Sequence, residues 1–246
     1  MSGLWADVIG WFGDASRWSV SDPSGIGYRV IEHLTVSTVA MLIAIALAIP
    51  TALVLAHHRR AEAIASAIVN LGRAVPSFGL IVVFWLVATY IPTVSPRFWP
   101  LVGALVALAI PPVFTNTYTS VRDVDADIVE AARGMGATEH AVMFRTELPL
   151  ASPVIVAGVR LAYVQVIATT AIGAIVTNGG GLGRYIVDGF AIGRAGHAMV
   201  VSGALLLGVL TLAADRVLAA AEVLVVPTPL REISTVRVEG VTGAAG

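Results

Sequence analysis

Long apolar runs without charge limit what this chain can fold into more than any other feature. Leu34–Ala56 is 23 residues with no acidic or basic side chain. Ala74–Pro96 and Phe98–Val121 are two more such runs, and Pro149–Val176 is a fourth, broken only by Arg160. Ala195–Ala214 is a fifth, with helical pattern continuing to about Val225. A membrane-spanning helix needs about 20 mostly apolar residues to cross a hydrocarbon core of about 30 Å. Within these runs no polar face recurs with helical period, which sets them apart from surface helices. They do not alternate with period two, which argues against membrane strands. Composition agrees, since 57% of the residues are hydrophobic and only 13% are charged, against about 25% charged in soluble domains. The chain is therefore expected to be an all-α, polytopic membrane protein with about five transmembrane helices. The spans fall near 34–56, 74–96, 98–121, 149–176 and 195–221.

The second span has an apolar approach, residues 62–72, which reads either as the start of a helix kinked at Pro76 or as a separate interfacial helix. Orientation follows from arginine, the only basic residue besides histidine in the chain. With the N-terminus outside, the inner segments hold Arg59, Arg60, Arg73, Arg122, Arg133, Arg145, Arg216, Arg231 and Arg237. The outer ones hold Arg17, Arg29, Arg97, Arg184 and Arg194. That bias predicts an outside N-terminus and a cytoplasmic C-terminus, as an odd number of spans requires. Residues 1–28 form an extracytoplasmic segment that lacks the basic region of a signal peptide. Within it, residues 3–18 read as an amphipathic helix in the outer interface, with Leu4, Trp5, Val8, Ile9 and Phe12 on one face. The permease domain proper is expected over 29–225, and 226–246 as a disordered cytoplasmic tail.

The most organised polar stretch is the loop between spans three and four, residues 122–148. Asp125 or Asp127 can cap a helix through Ile128–Met135. Gly134 and Gly136 end it, Gly136 being the better candidate for a left-handed residue. Thr138 then caps a second short helix from Glu139 to about Thr146, and Pro149 starts the next span. Two helices joined by a glycine turn make a rigid knob, suited to docking a partner or transmitting movement.

Here the sequence resembles a known family. EAARGMGATEHAVMFRTELP, residues 130–149, is similar to the EAA loop of bacterial binding-protein-dependent ABC importer permeases. Glu130, Ala131, Ala132, Gly136, Leu148 and Pro149 match that pattern, while Thr146 departs from the aliphatic residue expected there. Residues 72–86, 116–138 and 148–190 resemble the osmoprotectant branch, whose solutes are glycine betaine, carnitine, choline and proline. The resemblance covers roughly residues 30–225. It implies the type I ABC importer permease fold and a place in the bacterial inner (plasma) membrane. It also implies an EAA loop that couples to a cytoplasmic ABC ATPase, a second permease forming a homo- or heterodimer, and an extracytoplasmic solute-binding protein. The chain would then be a non-catalytic subunit with no cofactor of its own, ATP and Mg belonging to the partner ATPase. The residues agree with that division of labour, because no GxxxxGK[ST] motif is present and a chain without lysine cannot supply the phosphate-binding lysine.

Other constellations have plainer readings. TNGGGLGRY, residues 177–185, lacks lysine and follows a span on the expected outer side, so it reads as a re-entrant turn where glycines let backbones approach. His57-His58-Arg59-Arg60 reads as an ordinary positive-inside turn, since adjacent histidines do not share a helical face and a metal site would need outside ligands. No metal site is expected elsewhere. Arg160 either serves function, as an intramembrane charge suggests, or snorkels and ties its helix to the coupling loop. Pathway candidates are the polar or aromatic residues within spans: Phe84, Trp85, Asn116, Tyr118, Tyr163, Gln165, Thr169 and Thr170. Aromatic faces suit a quaternary ammonium solute. The alternatives are a permease for another small solute such as methionine, a stand-alone channel or secondary carrier, which has no need of an EAA loop, and an intramembrane hydrolase. For the last, His197 and Ser202 share one span, whereas a nucleophile and its base are expected on different helices.

Overall fold

The computed structural model describes residues 2–59, 67–68 and 76–225. The expected approach at 62–72 and the tail at 226–246 lie outside these residues. The described elements are helical. They are α1 (Ser2–Gly13), α2 (Ile26–His57), α3 (Ser77–Thr89), α4 (Trp99–Arg122), α5 (Ala126–Gly134), α6 (Glu139–Val142), α7 (Leu148–Thr177), α8 (Gly183–Ala191) and α9 (His197–Val225). A π-helical turn at Met143–Glu147 joins α6 to α7, so that Glu139–Thr177 is one continuous rod of 39 residues. Single 3-10 turns lie at Ala15–Trp18 and Gly193–Gly196.

Four of these helical stretches are long and apolar enough to cross a membrane: α2, α4, the rod Glu139–Thr177, and Gly193–Val223. With the shorter apolar α3 they account for the four to five spans. Their limits differ from those of the apolar runs. α2 begins at Ile26 rather than near residue 34 and has 32 residues, a length of about 48 Å at 1.5 Å per residue. It therefore carries Arg29, Glu32 and His33, which an uncharged run cannot include. α3 has only 13 residues, about 20 Å, where 74–96 was expected to be a full span. Its C-cap is Tyr90. Beyond it Pro92 and Pro96, which have no N–H to donate, fall in turns. The second helix of the polar loop also differs from expectation. It does not stop before Pro149 but runs into the span through the π-helical turn, and Pro149 is the second residue of α7.

The chain divides into two compact units. One comprises Met1–Ala44, Arg73–Ala109 and Ala162–Asp215; the other comprises Ile45–Gly72, Ile110–Leu161 and Arg216–Gly246.

In the first unit α2 and α7 approach through buried polar side chains. The His33 ring Nε2 donates to the Ile167 carbonyl at 2.9 Å. Ser37 and Thr170 hydroxyls lie 2.9 Å apart. Because Thr170 already donates to the Val166 carbonyl, Ser37 is the donor of that pair. Thr38 and Tyr163 hydroxyls meet at 2.7 Å. In a membrane such inter-helix bonds supply specificity that apolar contact alone cannot, lipid being as apolar as leucine. α1 packs onto this unit through Val8 and Trp11, both buried. Trp11 contacts Tyr185 edge-on at 5.2 Å between ring centres, beside Ile26 and Leu182. The buried face is thus Val8 and Trp11 with Phe12 packed beside them, while Trp5 and Ile9 of the expected face are exposed.

Candidate functional site

The coupling segment belongs to the second unit, and its local structure follows from a few side chains. Asp125 caps α5 by accepting from the Asp127 N–H at 2.9 Å. The other end of α5 closes with two backbone bonds, Gly136 N–H to the Arg133 carbonyl at 2.9 Å and Ala137 N–H to the Ala132 carbonyl at 3.1 Å. This is the six-to-one and five-to-two pattern that requires a left-handed residue after the helix. Gly136 supplies it, with φ of +84°. The apolar contact that accompanies such a cap is present. Ala137 packs on a small core of Val129, Ala132 and Val142, with Val124 beside it. Thr138 then caps α6 by accepting from the Ala141 N–H at 3.3 Å.

Among the matched loop residues, Ala132 is buried in this small core, Glu130 and Ala131 are exposed, and Leu148 and Pro149 are half-buried at the start of α7. Glu130 forms no hydrogen bond or ion pair with another described residue. Three exposed apolar side chains, Ile128, Met135 and Phe144, lie on the same segment. Glu130 and these three apolar side chains are thus exposed on one short, capped helical segment.

A polar cluster on the same segment was not legible in the sequence. Arg133 grips Glu139 through two nitrogens, each at 2.9 Å. That carboxylate raises the Arg133 guanidinium above its ordinary value through the hydrogen bonds it accepts. Glu139 also meets the His57 Nε2 at 3.1 Å. On its other side, His57 Nδ1 lies 2.5 Å from the Glu147 carboxylate. His57 and Glu147 are both buried, at 8% and 6% exposure. The run of His57 to Arg60 read as an ordinary turn of a basic loop, whereas His57 is the last residue of α2 and turns inward. Glu139 and Glu147 are eight residues apart in a helical rod, and no sequence spacing joins them to a residue more than 80 positions earlier.

The pathway candidates are distributed over both units. In the first, Thr170 and Tyr163 are hydrogen-bonded to α2, Thr169 is buried, Gln165 is exposed, and Trp85 is half-buried on α3. Phe84 lies against Gly103, where an added Cβ would sit 2.6 Å from its ring. In the second, Asn116 donates to its own helix at the Pro112 carbonyl, 2.8 Å away, and faces Gly158 across to α7. Tyr118 stacks on Phe114 at 5.9 Å. Arg160 reaches Glu222 of α9 at 3.6 Å.

The glycine-rich turn after α7 is a close backbone crossing. Asn178, Gly180 and Gly181 have positive φ. A Cβ on Gly181 would lie 2.5 Å from that of His33, and one on Gly183 2.2 Å from the Ala171 carbonyl. Arg184 pairs there with Asp188 and Asn178. The Tyr185 hydroxyl donates to the Ser24 carbonyl at 2.7 Å, and burial pushes its ionisation up to about 12. Nearby, bonds from Ser16 and Ser24 hold the Asp14 and Asp22 carboxyls below their usual range.

Apolar helices of membrane-crossing length, with a capped helix–glycine–helix segment between two of them, define a polytopic membrane protein. Residues 27–223 match the family described as binding-protein-dependent transport system inner membrane component. The chain belongs to that family and is a multi-pass protein of the inner membrane. It is 30% identical over 206 residues to the choline transport system permease protein OpuBB of Bacillus subtilis, covering 84% of this chain and 91% of that one. It is 29% identical over 209 residues to the glycine betaine/carnitine/choline permease OpuCB of the same organism, covering 85% and 92%. A carnitine transport permease of Listeria monocytogenes is 31% identical, covering 82% and 88%. Among solved structures, the inward-facing MetNI methionine ABC transporter has a chain that superposes with a TM-score of 0.63 at 24% identity, covering 79% of this chain and 95% of that one. That likeness establishes the ABC importer permease fold.

Proposed function

We propose that this chain is the permease subunit of an ATP-driven importer of osmoprotectants, forming half of a pathway for glycine betaine, choline, carnitine or proline. One observation carries the solute class: relatives named as choline, glycine betaine and carnitine permeases are about 30% identical over more than four fifths of both chains. The likeness to a methionine importer concerns the fold and does not favour methionine. The chain performs no chemistry itself. A partner ATPase binds ATP with Mg and docks on the surface bearing Glu130, Ile128, Met135 and Phe144. A second permease completes the pathway, and a binding protein delivers solute from the other side. The arginine bias supports a cytoplasmic coupling segment and an outside N-terminus. Of the pathway candidates, Tyr163 and Thr170 are engaged by hydrogen bonds to α2, whereas Gln165 is exposed and Trp85 half-buried, which favours the latter pair for solute contact. The test is uptake of radiolabelled glycine betaine, choline, carnitine, proline and methionine in a deletion strain carrying this transport system, with and without osmotic stress. Uptake of a quaternary ammonium solute is expected, and uptake of methionine alone would overturn the assignment.

A further inference from the structure

We propose that His57 is a positioning residue for energy coupling, a clasp that ties the end of α2 to both ends of the segment running from the glycine turn into α7. The proposal rests on the reading that this segment receives movement from the ATPase.

The geometry is specific. The imidazole is nearly buried, and both of its nitrogens face carboxylates. Glu139 stands at the first turn after Gly136, and Glu147 is the last residue of the π-helical turn that joins α6 to α7. A carboxylate only accepts and a neutral imidazole has one N–H. Two contacts therefore need one proton more than a neutral ring beside two carboxylates supplies. Glu139, exposed and held by Arg133, is the ionised partner, so Nε2 carries a proton. The other proton lies between Nδ1 and Glu147, whichever atom holds it. Among the described residues, the charged or titratable groups facing the ring are Glu139 from α6, Glu147 from the π-helical turn, Arg133 from α5 through Glu139, and His58 at 5.2 Å on its own chain segment. With a protonated ring the set of Arg133, His57, Glu139 and Glu147 carries no net charge, and its two buried members, His57 and Glu147, offset each other.

Such a cluster is a poor way to add stability, because apolar residues of the same volume would serve as well or better. It is a good way to fix one register between elements, because every partner must be in place at once. Its placement suits that role. The π-helical turn is the one step in a rod of 39 residues that is not α-helical, and single turns of this type inside helices are frequent at functional sites. Glu147 closes that turn. His57 thus holds α2 to both the exposed start and the buried end of the element that must move.

The experiment uses the full importer in nanodiscs, with its ATPase and with binding protein loaded with choline or glycine betaine. The readout is the ratio of solute-stimulated to unstimulated ATP hydrolysis at equal complex yield, together with solute moved per ATP in proteoliposomes. His57→Ala and Glu147→Ala are expected to lower that ratio about tenfold or more, as loss of one member of a buried hydrogen-bonded pair implies. Glu147→Gln is expected to stay within about twofold of wild type, because its amide N–H can donate to a bare Nδ1. If His57→Ala does not assemble, His57→Phe fills the space without either hydrogen bond and is expected to show the same loss. A ratio within twofold of wild type in His57→Ala or His57→Phe would overturn the clasp, as would Glu147→Gln losing as much as Glu147→Ala. A wild-type complex with no stimulation at all would instead sink the coupling reading, and the clasp with it.

Discussion

Replacing Gly136 by valine separates backbone conformation from packing at the coupling turn. The φ of +84° lies in the left-handed region, and an added Cβ would meet no atom within 4 Å. The cost is therefore conformational and not steric. It amounts to about 1–2 kcal/mol for an L-residue held there, at the upper end for a β-branched one. Against that, α5 is anchored by only a small core of Val129, Ala132 and Val142, and the cap contributes two hydrogen bonds of about 1 kcal/mol each at most. Conformational strain and cap are of similar size, so the turn should open and α6 should be re-aimed. The spans do not depend on this turn, and membrane abundance should stay within twofold of wild type. Gly136→Asn is the control, since asparagine tolerates the left-handed region and should keep most activity. The assay is solute uptake and co-purification of the ATPase with tagged permease. Uptake is expected to be lost in Gly136→Val and largely kept in Gly136→Asn. Normal uptake by Gly136→Val at normal abundance would refute the argument that this turn aims the coupling surface.

Gly183→Ala should act differently, because its Cβ would fall 2.2 Å from the backbone oxygen of Ala171. Overpacking of about 1–3 kcal/mol should lower the melting temperature of the purified protein, and an unchanged temperature would contradict the close crossing described here. Thr170→Val removes the acceptor of Ser37, and an inter-helix bond in a membrane is worth about 0.6 kcal/mol. A small drop in melting temperature with normal uptake would place Thr170 in helix packing, whereas loss of uptake without loss of stability would return it to the pathway. A single cysteine at the exposed position 195 is expected to react with an impermeant maleimide only from outside the cell and one at the exposed position 127 only from inside, in a chain with no cysteine of its own. The reverse pattern would invert the proposed orientation.

Two different ranges of interaction explain what could be read from the sequence. Spans are legible because the bilayer imposes a length and a polarity on a contiguous stretch, and neither depends on partners elsewhere. The caps at Asp125 and Thr138 and the left-handed Gly136 are legible for a similar reason, since each is fixed by residues within about five positions. Element limits were less so. The start of α2 carries Arg29 paired with Glu32 at 2.9 Å and the buried His33, and an apolar count ends before such residues although the helix does not. The amphipathic face of α1 was displaced for a related reason: the count of apolar residues cannot tell which of them meet Tyr185 and which remain exposed. The His57 cluster was out of reach altogether. Its residues lie on elements that sequence places far apart, and each has an ordinary local reading, a basic turn for His57 and solvated helix charges for Glu139 and Glu147. What makes them one cluster is that α2 ends where α7 begins. A buried histidine with a carboxylate at each ring nitrogen spends both nitrogens on those partners. The same contacts that hide it from a sequence reading therefore make it the residue most specific to this arrangement of helices.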